Sequence, residues 1–188
     1  MNKYNLVVHE SDLPLGKGWS PLSWQILEGK NKFPITLFEA KEKLDSGDIY
    51  CKTYLDYNGS ELFDELKIQQ GIKTKELIFK FIEDLKFNRL KNKRQNGIES
   101  FYSRRTPQDS IIDPNKSIKT QFNLLRIADP QNYPNFFTLN DLKEKGFLPQ
   151  SIRYQLLSGH YRTKLSFSIK KKFESDKIIH RITNFHNT

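Results

Sequence analysis

Short apolar runs in the first third of the chain predict the strands of a sheet. Residues 6–8 are Leu-Val-Val, and this run stops at the polar residues 9–12, His-Glu-Ser-Asp. A short run that is apolar on both faces is typical of a buried parallel strand, so we expect a parallel sheet with a polar loop after this strand. Residues 33–39 and 49–55 also predict strands, joined across a turn at residues 44–48.

Two helices follow from capping residues and helical spacing. The Ser20-Pro21 pair predicts the start of a short helix that ends at Gly29. Ser60 is predicted to cap a long helix with apolar residues at helical spacing. Those residues are Leu62, Phe63, Leu66, Ile72, Leu77, Ile78, Phe81 and Leu85.

The second half of the chain divides into a linker and a tail. Residues 115–128 predict another amphipathic helix, with Ile118, Phe122, Leu125 and Ile127 facing inward. After it the pattern is β-like at residues 136–137, 161–169 and 178–179. We therefore predict an α/β region over residues 1–100, a linker and helix over 101–130, and a small basic β-rich region over 131–188.

The charged residues are distributed unevenly between the two halves of the chain. Residues 1–100 carry 16 Lys or Arg against 15 Asp or Glu, whereas residues 101–188 carry 15 against 7. The basic second half is consistent with an anionic partner such as a phosphate ester or a nucleic acid, and equally with a solvated lysine-rich surface. Arg104-Arg105 has the same two interpretations, a phosphate site or a solvated linker.

Cysteine and hydropathy exclude several classes of protein. Cys51 is the single cysteine, which excludes an intrachain disulfide and a cysteine zinc site. No apolar run approaches the roughly 18 residues that a membrane span requires, and the first residues do not form a signal peptide. We therefore expect no membrane association and a cytoplasmic location.

The candidate chemistry is a histidine and a carboxylate. The four histidines lack ligand spacing, so we expect no metal, and Gly16-Lys17-Gly18 is too short for a phosphate-binding loop. His9 follows a predicted strand, and Asp45 lies in a glycine turn about thirty-five residues later. An imidazole held by a carboxylate can polarise a carbonyl and move a proton, although a histidine at a strand end is more often structural.

The sequence around these two residues resembles a known family. His9-Glu10-Ser11-Asp12-Leu13-Pro14 is followed by Gly18-Trp19-Ser20-Pro21 and by Leu44-Asp45-Ser46-Gly47-Asp48. Arg104-Arg105-Thr106-Pro107, Asn123-Leu124-Leu125-Arg126 and Tyr133-Pro134-Asn135-Phe136-Phe137 come later in the same order. Together these motifs resemble the folate-dependent formyltransferases, over residues 4–137.

The resemblance implies a fold, a reaction and a site. The fold would be α/β, the C-terminal half of a Rossmann-like formyltransferase catalytic domain followed by the basic tail. His9 and Asp45 would be catalytic, and the backbone of Lys41, Glu42, Lys43 and Leu44 would meet the pterin of 10-formyltetrahydrofolate. The acceptor would be the amine of a nucleotide-linked amino sugar, with methionyl-tRNA as the alternative.

The chain also differs from the family pattern in two ways. Val7 stands where the family has a catalytic asparagine, and Asn5 is the nearest asparagine of the same strand parity. The resemblance further implies that the preceding βα units of the catalytic domain are missing. We therefore also expect an inactive remnant or one half of a split enzyme as alternatives, and a chain that self-associates or needs a partner chain.

Overall fold

The computed structural model describes residues 3–113, 116–144, 146, 148–151 and 174–179. The chain divides into two units, one formed by Met1–Ile111 with Ile118–Asn135 and the other by Ile112–Ser117 with Phe136–Thr188. The predicted division at residues 100 and 130 stays a prediction.

The first unit contains five strands and three α-helices among its described residues. In chain order they are β1 (Leu6–His9), β2 (Lys17–Gly18), α1 (Pro21–Leu27), β3 (Lys32–Glu39), β4 (Ile49–Asp56), α2 (Phe63–Lys86), β5 (Phe101–Tyr102) and α3 (Phe122–Arg126). Two short 3₁₀ turns, Pro107–Ser110 and Lys119–Gln121, precede α3. The structure confirms a mixed α/β fold.

The main sheet has the strand order β1-β3-β4, and both pairings are antiparallel. The strands predicted over residues 33–39 and 49–55 are confirmed as β3 and β4, which pair as a hairpin. The expectation of a parallel β1 is wrong, since Val7 lies opposite Phe38 of an antiparallel β3. Leu6 and Val8 pack against the core, while His9 belongs to the opposite face by strand alternation. One face of β1 therefore packs on the core, and the other carries His9.

The helix α2 covers this sheet through part of its apolar surface. Leu66, Leu77 and Phe81 are buried in the core, together with residues of α1, β3 and β4 and with Ile127, which follows α3. The helix begins after Leu62, whose backbone N–H donates to the Glu65 carboxylate at 2.9 Å. The prediction of Ser60 as the cap is therefore wrong, because the Ser60 hydroxyl donates to Asn58 instead.

Much of the apolar surface of α2 lies outside the core, including Ile72 of the predicted face and two residues, Ile68 and Phe79, that were not predicted to belong to it. Ile72 is 51% exposed, and Ile68 and Phe79 are 63% and 68% exposed. These three residues recur at intervals of four and seven, so they share the side of the helix away from Leu66 and Leu77. The helix has two apolar faces, of which the sheet buries one.

The predicted helix over residues 115–128 is shorter than its pattern indicates. Over residues 116–128, which the structure describes, only α3 is α-helical; Ile118 is 72% exposed, while Ile127 is buried as predicted. The buried Arg126 side chain fixes α3, since its Nη2 lies 3.0 Å from the Glu61 carboxylate and its Nε donates to the Glu61 carbonyl. The buried ion pair of Arg126 and the single core residue Ile127 therefore join this segment to the first unit's core.

The second unit is described in part. Helix α4 (Leu139–Glu144) begins at Thr138, whose hydroxyl donates to Asp141 at 2.7 Å. Residues 174–179 are also helical, so the β-like interpretation of 178–179 is wrong. The strand predicted over residues 161–169 lies outside the described residues.

Candidate functional site

His9 is the last residue of β1 and is 6% exposed. Its Nε2 lies 2.7 Å from the carbonyl oxygen of Gly16 and 3.9 Å from Oδ2 of Asp45. The edge of the ring faces Phe38, with centroids 6.5 Å apart. The histidine and carboxylate predicted from the sequence are therefore brought together, while their catalytic role stays a prediction.

The loop from residue 16 to 18 aligns this pair, and its function in the site was not predicted. Gly16 supplies the carbonyl to His9, and the backbone N–H of Gly18 donates to Asp45 Oδ2 at 2.8 Å. Both glycines have positive φ, and a Cβ at Gly18 would lie 2.3 Å from the carbonyl oxygen of Tyr102. The two glycines around Lys17 were the only signal of this loop in the sequence.

Lys17 anchors the same loop from within the protein. Its side chain is 1% exposed, and Nζ lies 2.8 Å from Glu99. Lys17 and Lys43 both donate to this carboxylate, and these hydrogen bonds lower the pKa of Glu99. The parallel pairing of β2 with β5 places the segments side by side. Contacts between residues about 80 positions apart therefore hold the loop that aligns His9.

The turn that carries Asp45 is constrained from both sides. Asp45 has φ +46°, a left-handed conformation that aspartate tolerates better than most residues. The Gln95 side-chain amide donates to the carbonyls of Asp45 and Gly47, each at 2.8 Å. A Cβ at Gly47 would lie 1.5 Å from the Glu39 carbonyl oxygen, so only glycine fits there.

The residues predicted to meet the cofactor lie in the exposed loop between β3 and β4. Lys41, Glu42 and Lys43 line an open groove of about 660 Å³ together with Asn5, Ala40 and Ser46. Leu44, which is 43% exposed, is not among the lining residues. Ser46 follows Asp45 directly, so one turn connects the groove to the carboxylate beside His9.

Asn5 belongs to the groove rather than to the immediate surroundings of His9. Its backbone N–H donates to the Glu39 carboxylate at 2.7 Å, and its carbonyl accepts from Ala40 at 2.7 Å. Val7 lies between Asn5 and His9 on the same face of the strand. The side chain at position 7 is that of valine, which carries no amide.

The described residues contain neither a metal-ligand cluster nor a membrane-spanning helix. No three His, Cys, Asp or Glu side chains lie together in a group that could hold a metal ion, and the absence of a metal in the reaction stays a prediction. No helix in this part of the chain is both long and apolar enough to cross a membrane.

Comparison with known proteins shows which proteins this chain is similar to. No family model matches the chain. The methionyl-tRNA formyltransferase of Thermotoga maritima is 27% identical over 123 residues, which are 65% of this chain and 39% of the relative. The chain thus spans less than half the length of that relative.

Solved structures share the fold. The methionyl-tRNA formyltransferase from Clostridium thermocellum has a TM-score of 0.60 and 29% identity, covering 73% of this chain and 59% of the other. The N-formyltransferase from Helicobacter canadensis, a complex with folinic acid and dTDP-3-aminofucose, has a TM-score of 0.58 and 21% identity over 72% and 51% of the two chains. At that identity the second structure supports the fold alone.

Proposed function

Because this chain belongs to the formyltransferase family, we propose that it takes part in transferring the formyl group of 10-formyltetrahydrofolate to a primary amine. The observation that carries the proposal is the buried His9 ring, 2.7 Å from the Gly16 carbonyl and 3.9 Å from Asp45. His9 and Asp45 are the proposed catalytic residues, and the loop from Lys41 to Leu44 is the proposed contact for the formyl donor.

The hydrogen bond of His9 determines which ring nitrogen can react. A carbonyl oxygen only accepts hydrogen bonds, so the Nε2 that contacts Gly16 carries the hydrogen and Nδ1 is the acceptor of the neutral ring. As a base, Nδ1 takes a proton from the attacking amine nitrogen. Once protonated, it donates a hydrogen bond to an oxygen that gains negative charge.

Asp45 acts on the charge and orientation of the ring. Its Oδ2 is held by the Gly18 N–H at 2.8 Å and faces Nε2, so a proton gained at Nδ1 is stabilised by a nearby fixed negative charge. Asp45 is only 12% exposed at its side chain, which limits screening by water. These two residues need no metal to move a proton.

The groove beside this pair supports binding of a folate. Its volume of about 660 Å³ lies within the range of pockets for small organic ligands. Its lining loop is exposed, and none of the hydrogen bonds of the described residues uses the backbone N–H of Lys41 or Glu42. When bound there, 10-formyltetrahydrofolate supplies the formyl group, and the folate nitrogen that releases it accepts a proton in exchange.

The acceptor is proposed to be the amine of a nucleotide-linked amino sugar. The Helicobacter canadensis N-formyltransferase, bound to dTDP-3-aminofucose, supports this choice through its shared fold. Methionyl-tRNA is the alternative, supported by the Thermotoga maritima relative and by the basic second half of the chain. A third alternative is a fragment that is inactive without a partner chain.

Matched aspartate variants test the catalytic proposal. The purified chain is given 10-formyltetrahydrofolate and either a dTDP-linked amino sugar or methionyl-tRNA, and the formylated product is quantified. We expect Asp45→Asn and His9→Asn to abolish transfer. Asp48→Asn should keep it, because Asp48 lies in the same turn but contacts Lys41 and Asn92 instead. Equal activity of the Asp45 and Asp48 variants would contradict the assigned roles.

The same assay separates the alternatives. The acceptor that receives the formyl group identifies the substrate class, and tRNA binding should weaken steeply with salt because phosphate contacts release counterions. Product formed only after a second chain supplies the preceding βα units would support the split-enzyme alternative. No product under either condition would contradict the proposed activity.

A further inference from the structure

The two neighbouring arginines of the 101–111 segment have opposite environments. Arg104 is exposed, whereas Arg105 is only 7% exposed. Its Nη2 donates to the Asp109 carbonyl and to the Ser110 hydroxyl, both at 3.1 Å. Its Nε is buried and has no hydrogen-bond partner. Among the ion pairs of the described residues, none includes Arg105.

A buried guanidinium without a carboxylate is unusual, and the same protein contains the usual arrangement. Arg126, which is also buried, pairs with the Glu61 carboxylate at 3.0 Å. Asp109, which is close to Arg105 in sequence, directs its carboxylate to Thr106 instead. Burial lowers the pKa of Arg105, as expected for a cation removed from water without full compensation.

Arg105 lines a cavity of about 160 Å³ that contains other hydrogen-bond donors. The hydroxyls of Ser20 and Ser23 and the ammonium of Lys67 are also in its lining. Ser20 makes no capping bond to the helix that follows it, and Lys67 donates to the neutral amide of Gln70. Two cations, whose hydrogen bonds all go to neutral groups, therefore face one small space.

The carboxylates of the cavity already have hydrogen-bond donors. Glu10 accepts from the side-chain amide of Gln70. Asp129 accepts from the backbone N–H groups of Gln131 and Asn132 and from the Asn132 side chain. Neither carboxylate forms a hydrogen bond with the guanidinium of Arg105, and the negative charge of Asp129 is balanced in part by Lys67, which adds to the hydrogen bond from Asn132 in lowering its pKa.

We infer that this cavity is a phosphate site, in which Arg105 is the principal ligand and Ser20, Ser23 and Lys67 supply further donors. A phosphate oxyanion would accept from these donors, none of which hydrogen-bonds to a carboxylate, and its geometry matches that of guanidinium. The volume corresponds to about five water molecules at liquid density, enough for one phosphate group and too small for a nucleotide. The inference does not require formyl transfer, so its failure would leave the proposed function standing.

Adjacent arginines provide a matched pair of variants for the test. Binding of inorganic phosphate and of dTDP to the full chain is measured by isothermal titration calorimetry. We expect Arg105→Gln to weaken phosphate binding at least tenfold, while Arg104→Gln, which removes the same charge one position earlier, changes it less than twofold. Equal losses in the two variants would show a diffuse charge effect and overturn the inference.

A second measurement uses the unmodified protein and does not depend on the folding of a variant. The Nε–H resonance of Arg105 should shift in NMR spectra when inorganic phosphate or dTDP is added, because a partner then accepts from the guanidinium. A shift with both ligands indicates a site for any phosphate, and a shift with dTDP alone indicates the phosphate of a nucleotide. No shift with either ligand at millimolar concentration would overturn the inference.

Discussion

A methyl group added at Gly47 is expected to displace the turn that carries Asp45. The Cβ of alanine at this position would lie 1.5 Å from the carbonyl oxygen of Glu39, a backbone atom that cannot rotate away. Real Cβ contacts are not shorter than 3.0 Å, so either the turn or β3 must move by about 1.5 Å. Overpacking of this kind costs about 1–3 kcal/mol of unfolding free energy.

Gly71 is the matched control for this substitution. It lies within α2, and a Cβ there would meet nothing within 4 Å. Because alanine has a higher helix propensity than glycine, Gly71→Ala should stabilise the protein by about 0.5–1 kcal/mol. The two substitutions add the same methyl group, and we expect them to change the free energy of unfolding in opposite directions.

Urea denaturation followed by circular dichroism measures both changes. The displaced turn should also separate Asp45 from His9, and a misplacement of about 1 Å at a reacting centre can lower a rate about a hundredfold. Formyl transfer should therefore fall in the Gly47 variant and be kept in the Gly71 variant. A Gly47→Ala variant as stable as the original protein would contradict the close packing of this turn against the Glu39 carbonyl.

Two further predictions concern the buried ion pair and the second apolar face of α2. Glu61→Gln should lower the free energy of unfolding, measured by urea denaturation, by about 3 kcal/mol, because it leaves Arg126 buried without a counter-charge. As a control, Asp56→Asn removes an exposed ion pair and should change this free energy little. Burial raises the pKa of Glu61, but hydrogen bonds from backbone N–H groups and Arg126 outweigh it, so the pKa is lowered. The stabilisation should therefore be complete above the usual glutamate pKa and decline as the pH falls below it, and a pH-independent difference would contradict this. Phe79 is 68% exposed on the second apolar face of α2, so Phe79→Lys should reduce the concentration-dependent self-association measured by light scattering. Unchanged self-association would exclude this face as the contact surface.

Local sequence determined most of the secondary structure around the candidate site. The hairpin of β3 and β4 follows from two apolar runs separated by turn residues, and α1 follows from Pro21 and Gly29. His9 and Asp45 were identified because one ends a strand and the other lies in a glycine turn. Each of these features depends on residues within a few positions of one another, so the sequence alone predicts them.

The direction of strand pairing required the tertiary structure. A short run such as Leu6-Val7-Val8 fits a parallel or an antiparallel neighbour, because side-chain alternation is the same in both. The antiparallel β3 decides the pairing, and it leaves His9 on the face where Gly16 and Asp45 meet it. The carbonyl of Gly16 could not be predicted as a partner, since backbone atoms carry no sequence signal.

Burial of charge was likewise decided by contacts that are distant in the chain. Arg104 and Arg105 are equivalent in the sequence, and only the packing of the surrounding residues exposes one and buries the other. In the same way, the predicted apolar face of α2 included both Leu66 and Ile72, but only the sheet determines that Leu66 is buried and Ile72 is exposed. Periodicity specifies which residues share a face, whereas the loss of water from that face depends on what folds against it.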